Sequence, residues 1–128
     1  MMKFDPEIAR DILLDIEELH QVNTPFMFSS SDKFNRANKY DLTVIVYHCD
    51  KLEEAGFLNW DPIYGNNQFQ MGLVNGLTYQ GHQFLNSVRS PKVWRETKSR
   101  AEKVGIFTLD FIPQTAANVI AEISKGRI

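Results

Sequence analysis

The sequence predicts an α+β chain, a winged helix-turn-helix core with a small β-hairpin wing followed by a C-terminal helical extension. Three observations predict it. Apolar residues recur at helical spacing over 6–20 and 42–55; two aromatic-rich runs flank a Gly-Asn-Asn turn just after the second stretch; and helical periodicity returns from Thr78 onward. Helix, short strand, short helix, long helix and hairpin is the element order of a winged helix.

Asp5-Pro6-Glu7 is a strong helix start, because Asp accepts an orphan amide, Pro lacks one, and Glu suits the positive end of the helix dipole. Ile8, Ile12, Ile16 and Leu19, with Ala9 and Leu13 alongside, fall on one face, giving a first helix over 6–20. Val22 to Phe28, with Phe26-Met27-Phe28 after Thr24-Pro25, suggests an edge strand. Caps among Ser29-Ser30-Ser31-Asp32 suggest a short helix near 32–38, which Asn35 and Asn38 weaken.

Asp41 is the expected cap of the next helix, in which Leu42, Ile45, Val46, Cys49 and Leu52 cluster before the Ala55-Gly56 stop. Phe57 to Ile63 and Phe69 to Leu73 form the wing around Gly65-Asn66-Asn67. Asn75-Gly76 reads as a second turn, and Thr78 as the cap of a helix to Val88 carrying Phe84 and Leu85. Ser90-Pro91 opens a helix to Val104, with Val93, Trp94, Thr97, Ala101 and Val104 on one face and Lys92, Arg95 and Lys103 on the other. Thr108 or Asp110 begins a last helix expected to bury Ala116, Val119, Ile120 and Ile123.

A length of 128 residues suits one domain. The expected organisation is a winged-helix domain over 1–88 with a helical arm over 89–128 packed on the same core. A hydrophobic content of 43% excludes the composition of a disordered chain. A single cysteine, Cys49, allows no internal disulfide and fits a reducing compartment. The N-terminal segment lacks the apolar stretch of a secretory signal, and no later run is long enough to span a membrane, so a cytoplasmic location is expected.

Charge is unevenly placed. Residues 1–80 hold 6 Lys/Arg against 12 Asp/Glu, a balance of −6, whereas residues 81–103 hold 6 against 2, a balance of +4. An electrostatic partner meets two different faces.

The stretch His48-Cys49-Asp50-Lys51-Leu52-Glu53-Glu54-Ala55-Gly56 resembles the H-x-x-x-L-x-x-A-G end of the third helix in many winged-helix regulators. Leu77-Thr78-Tyr79-Gln80-Gly81-His82-Gln83-Phe84-Leu85-Asn86-Ser87-Val88-Arg89, followed by Val93-Trp94 and Lys98, looks like the signature of the bacterial and phage family called domain of unknown function 2513. With Asp5-Pro6-Glu7-Ile8 the likeness spans most of residues 5–104; the Thr24 to Lys39 region, long and Ser/Asn-rich, departs from it. The resemblance implies a regulatory or accessory role in bacteria or their mobile elements and carries no enzymatic activity.

The 42–55 helix would be the DNA-reading element of such a fold, presenting Thr43, Val44, Tyr47, Asp50, Lys51 and Glu54. Only Lys51 among these is cationic, and the wing from Asn59 to Asn75 has no Lys or Arg to supply phosphate contacts. A structural helix with an acidic solvated or protein-facing side is the favoured reading. Arg89, Lys92, Arg95 and Lys98 could neutralise phosphates, although a solvated amphipathic helix explains them equally, and Trp94 falls on the apolar stripe.

His20, His48 and His82 show no metal-ligand spacing and read as structural; Cys49 lies on an apolar stripe; and no glycine-rich phosphate loop occurs. Trp60 or Tyr64, exposed at the wing tip, would anchor a protein surface, with packing of the wing aromatics on the core as the alternative. The sequence therefore leads to a non-enzymatic binding module without a cofactor or a membrane partner. A protein partner met through Tyr47, Glu54, Trp60 and Tyr64 ranks first. A DNA-binding regulator using Lys51, Arg89, Lys92, Arg95 and Lys98 is the alternative, and homodimerisation through the C-terminal helices is compatible with either.

Overall fold

The computed structural model describes residues 2–128. They form an α+β structure of five α-helices and one three-stranded antiparallel sheet, divided into two compact units, 1–82 and 83–128. Among the described residues no helix is long and apolar enough to cross a membrane.

Unit one begins with α1 (Pro6–Leu19). Asp5 caps it, its side chain accepting the Glu7 amide at 2.9 Å, and Pro6 fills the first turn. Ala9, Ile12, Leu13 and Ile16 are fully buried, as their spacing predicts. Two carboxylates, Asp11 and Asp15, are buried on the same helix.

Those carboxylates explain why no helix forms near 32–38. In its place are two single turns of 3-10 helix, Ser31–Lys33 and Ala37–Lys39. The Asp15 carboxylate accepts the backbone amides of Arg36 (2.8 Å) and Ala37 (2.9 Å), and Tyr40 donates its hydroxyl to Asp11 at 2.7 Å. Donors that a helix would have satisfied internally are thus satisfied by α1.

The next helix, α2 (Leu42–Glu54), buries Ile45, Val46, Cys49 and Leu52. Asp41 occupies the N-cap, but its side chain makes no capping hydrogen bond; its carbonyl accepts the Ile45 amide at 3.1 Å. Gly56, at φ +80°, ends the helix in the left-handed conformation that the sequence motif requires.

The hairpin that follows is longer than its hydrophobic pattern indicates: β2 (Leu58–Gly65) and β3 (Gln68–Leu77) meet at Asn66-Asn67, with φ +54° and +62°. Asn75-Gly76 does not make a second turn. The strand runs through it to Leu77 across a break in register, with Gly76 at φ +95°, where a Cβ would lie 3.1 Å from the His20 ring. A short strand, β1 (Phe26–Phe28), pairs with β3 on its other side, so the sheet order is β1-β3-β2. β2 is therefore an edge strand, which accommodates Pro62 and its missing amide hydrogen. α1 packs against α2 and β3 and closes the core of this unit around Phe28, Phe34, Leu58 and Val74.

Helix α3 (Tyr79–Val88) starts where Thr78 accepts the Gly81 amide at 3.0 Å and carries the chain from unit one into unit two. Unit two pairs α4 (Pro91–Val104) with α5 (Phe111–Ser124). Ser90 caps α4 and Thr108 accepts the Phe111 amide at 3.1 Å. Val93, Trp94, Thr97 and Ala101 are buried on α4, and Ile112, Ala116 and Val119 on α5. Three expected core residues are not buried: Val104 is 57% exposed, because it sits at the last residue before the Gly105 cap; Ile120 is 40% exposed, at the flank of the buried stripe of α5; and Ile123, near the end of α5, is half-buried. Arg100 ties the two helices together, reaching Glu122 at 2.6 Å and Glu96 at 3.2 Å.

Candidate functional site

Unit one contains a groove of about 290 Å³ between α2 and the hairpin, lined by Leu42, Thr43, Val46, Tyr47, Asp50, Tyr64 and Phe69. The helix supplies the first five at spacings of three and four residues, which place them on one side of α2. The hairpin supplies the others. A register shift between Ile63 and Tyr64 leaves Gln70 as an extra residue, so Phe69, opposite Tyr64, faces the groove rather than the outer side of the sheet. Gln70 closes the irregularity by donating to the Gly65 carbonyl at 3.0 Å.

Tyr47 and Tyr64, two of the side chains selected from the sequence, are brought together here. Tyr64 is 56% exposed and meets the Phe69 ring edge-on, with centroids 6.0 Å apart. Trp60 departs from the expectation of an exposed anchor: it is 4% exposed. Its ring stacks against both Phe28 (5.5 Å) and Phe69 (6.3 Å), which also meet each other at 6.0 Å, and a Cβ on Gly72 would overlap it. The ring is large and apolar, the facing glycine leaves room for it, and its one polar atom finds a partner, so burial wins. That partner is Asp50, which accepts the Trp60 Nε1 hydrogen at 2.7 Å. Trp60 thus fixes a groove carboxylate without lining the groove itself. Glu54 is exposed and paired with Lys51 at 3.2 Å, one turn from Asp50.

The residues singled out for phosphate contact are dispersed. Lys51 is engaged by Glu54 and lies over the Tyr47 ring at 5.6 Å. Arg89 donates to Asn86 at 2.9 Å and Lys92 to the Ile128 carbonyl at 3.5 Å, while Arg95 is exposed on α4 and Lys98 is half-buried. They belong to both units.

The remaining reactive groups are structural. His48 donates from Nδ1 to the Val44 carbonyl (2.8 Å) and accepts the Asp5 amide at Nε2 (2.9 Å); the neutral tautomer follows from that pairing, and burial holds the ring below the usual histidine range. Burial pushes the Cys49 thiol well above its ordinary value. Among the described residues no three His, Cys, Asp or Glu side chains converge as a metal site.

Leu42 and Val46, which the helical pattern assigns to the core, and Asp50, which it places among the presented residues of the helix, also line the groove. Only the hairpin's return across α2 puts Tyr64 and Phe69 beside them, and no local spacing encodes that.

The fold and the groove define an α+β protein with a concavity in unit one that is lined by aromatic and aliphatic side chains and by a single charged group, Asp50. The chain belongs to the family described as Hypothetical protein (DUF2513), whose pattern matches residues 3–107, which include unit one from residue 3 onward and the whole of α4. It is similar to an uncharacterized protein of Haemophilus influenzae, 26% identical over 123 residues that cover 95% of this chain and 98% of that one. No solved structure matches.

Proposed function

We propose that the chain is a non-enzymatic, cytoplasmic binding module whose N-terminal unit is a winged helix and which engages a protein partner through the groove between α2 and the hairpin. The winged-helix reading is supported by the element order and by the β1-β3-β2 sheet, in which the first strand pairs with the far arm of the wing. The absence of catalysis is supported by the engagement of both His48 nitrogens and by the burial of Cys49.

One observation carries the choice of partner. Where such a fold would present cations to DNA, this groove is lined by apolar and aromatic side chains and by Asp50, and the nearest cation, Lys51, is neutralised by Glu54. An aromatic concavity is what a protein anchor residue needs, and phosphate binding needs the opposite charge. DNA binding through Arg89, Lys92, Arg95 and Lys98 is the second reading, favoured by the exposed Arg95 of α4.

The experiment is a comparison of wild type with Tyr64→Ala and with Arg95→Glu/Lys98→Glu. Partners that co-purify with the tagged wild-type chain from a bacterial host are identified, purified and titrated calorimetrically. Affinity should fall at least about tenfold in Tyr64→Ala, as for a contact near a binding hot spot, and be unchanged in the α4 variant. A low-salt shift of mixed duplex DNA that the α4 variant abolishes, with partner affinity indifferent to Tyr64, sinks the proposal in favour of DNA.

A further inference from the structure

Resting on the reading of the groove as a protein-binding site, we propose that its occupant is one arginine side chain presented by the partner. The volume, about 290 Å³, lies at the lower end of the range for small-molecule pockets and suits one long side chain rather than a folded element. Its chemistry is that of a guanidinium receptor. Tyr47, Tyr64 and Phe69 supply aromatic rings, over whose faces a delocalised cation is attracted, and Leu42 and Val46 supply apolar surface for an alkyl stem.

Asp50 supplies the counter-charge. One of its oxygens is held by Trp60 Nε1 at 2.7 Å, which fixes the carboxylate against the groove wall, and it makes no other hydrogen bond or ion pair among the described residues. A half-buried carboxylate with one oxygen oriented and the other uncommitted accepts a planar N–H donor well, and arginine joins that donor geometry to aromatic stacking. One lining ring, Tyr47, already has a cation near its face: Lys51 lies over it at 5.6 Å, with its own charge balanced by Glu54. The other charges on this end of α2, Glu53 and Glu54, are exposed and acidic, and the wing holds Asp61 and no Lys or Arg. A cationic anchor therefore meets no like charge except the neutralised Lys51.

The test uses the full chain labelled with ¹⁵N, whose two tryptophans give two indole N–H resonances, one of them that of Trp60, hydrogen-bonded to Asp50 of the groove. It is titrated with the capped peptide Gly-Gly-Arg-Gly-Gly, with the same peptide carrying Leu at the centre, and with agmatine. The arginine peptide should move the Trp60 indole saturably and bind at least about fivefold more tightly than the leucine peptide, a modest gain for a stacked, charge-paired guanidinium. Asp50→Asn keeps an acceptor for Trp60, so the chain stays folded with a dispersed Trp60 resonance, and the arginine preference should vanish.

Equal binding of the two peptides, or an Asp50→Asn variant that keeps the preference, overturns the arginine anchor and leaves groove binding intact. Agmatine binding more tightly than the peptide overturns a protein source in favour of a small guanidinium compound. If no probe moves the Trp60 resonance, the arginine anchor fails; the wider groove reading then stands or falls on the Tyr64→Ala comparison with the purified partner.

Discussion

Asp15 and Arg36, 21 residues apart in sequence, are joined twice: the buried Asp15 carboxylate accepts both the Arg36 backbone amide (2.8 Å) and its guanidinium (2.9 Å). Glu18 takes the other guanidinium nitrogen at 2.7 Å, and these bonds hold the Glu18 carboxyl below its usual range and push the Arg36 guanidinium up. The irregular segment before α2 is therefore fixed by its backbone rather than by helical periodicity, which ranks the effects of mutation at the two ends of the pair.

Asp15→Ala should destabilise unit one by about 3 kcal/mol, since it leaves two buried amides and a guanidinium without their acceptor. Arg36→Ala should cost only about 1 kcal/mol, because the side chain is partly solvated and the amide bonds survive. Urea unfolding followed by tryptophan fluorescence measures both; equal losses would contradict the dominance of the backbone bonds.

Acid should loosen the junction between α1 and α2. The folded His48 ring resists protonation because it is desolvated and because Nε2 must accept the Asp5 amide, so between the ordinary histidine value of 6.5 and its lower folded value the unfolded chain binds more protons. Stability contributed by His48 is thus complete above about pH 7 and declines as pH falls below 6.5. Glu18, also depressed when folded by its hydrogen bonds to Arg36 and Asn35, adds a loss in the same direction starting only near the ordinary carboxyl value of 4.5. Urea midpoints at pH 7.5, 6.5 and 5.5 should fall in wild type and stay flatter in His48→Gln.

Cys49 should ignore thiol reagents in the native chain. It is fully buried on α2, with a thiol that burial keeps protonated, so labelling with a chromogenic disulfide at pH 8 should follow global unfolding. Labelling at the rate of a free thiol in the absence of urea contradicts this packing.

Gly72→Ala tests the aromatic wall. The added methyl would collide with the Trp60 ring and sit 3.0 Å from Phe28, so overpacking should cost about 2 kcal/mol and shift the Trp60 emission and indole resonance. An unperturbed Trp60 signal would mean that the ring lies elsewhere.

Much of the fold was legible because its signals are local. Asp5-Pro6, Ser90-Pro91, Thr78 and Gly56 act within one turn of the helices they bound, and the stripes of α1, α2 and α4 are periodic. The failures share a cause. Asp11 and Asp15 interrupt the apolar face of α1 without altering its period, so nothing near Arg36 announces that its amide will be satisfied from α1. Asn75-Gly76 has turn chemistry, but pairing with Trp60 and Leu58 on either side draws it into β3. The groove divides in the same way: the helical period puts Tyr47 on the outward side of α2 and its aromatic character marks Tyr64, whereas the burial of Trp60 depends on Gly72 across the hairpin and on Asp50 of α2.

Pro62, in the middle of the exposed arm of the wing, has a consequence for how copies of the chain behave when crowded. A strand lacking one donor at its centre is a poor template for a neighbouring strand, and the opposite border, β1, is only three residues long. Met27 and Ile63, both substantially bare, would otherwise invite growth of a shared ribbon from molecule to molecule. Pro62 is thus expected to oppose fibril formation, and replacing it with valine should shorten the lag before aggregation in a concentrated sample.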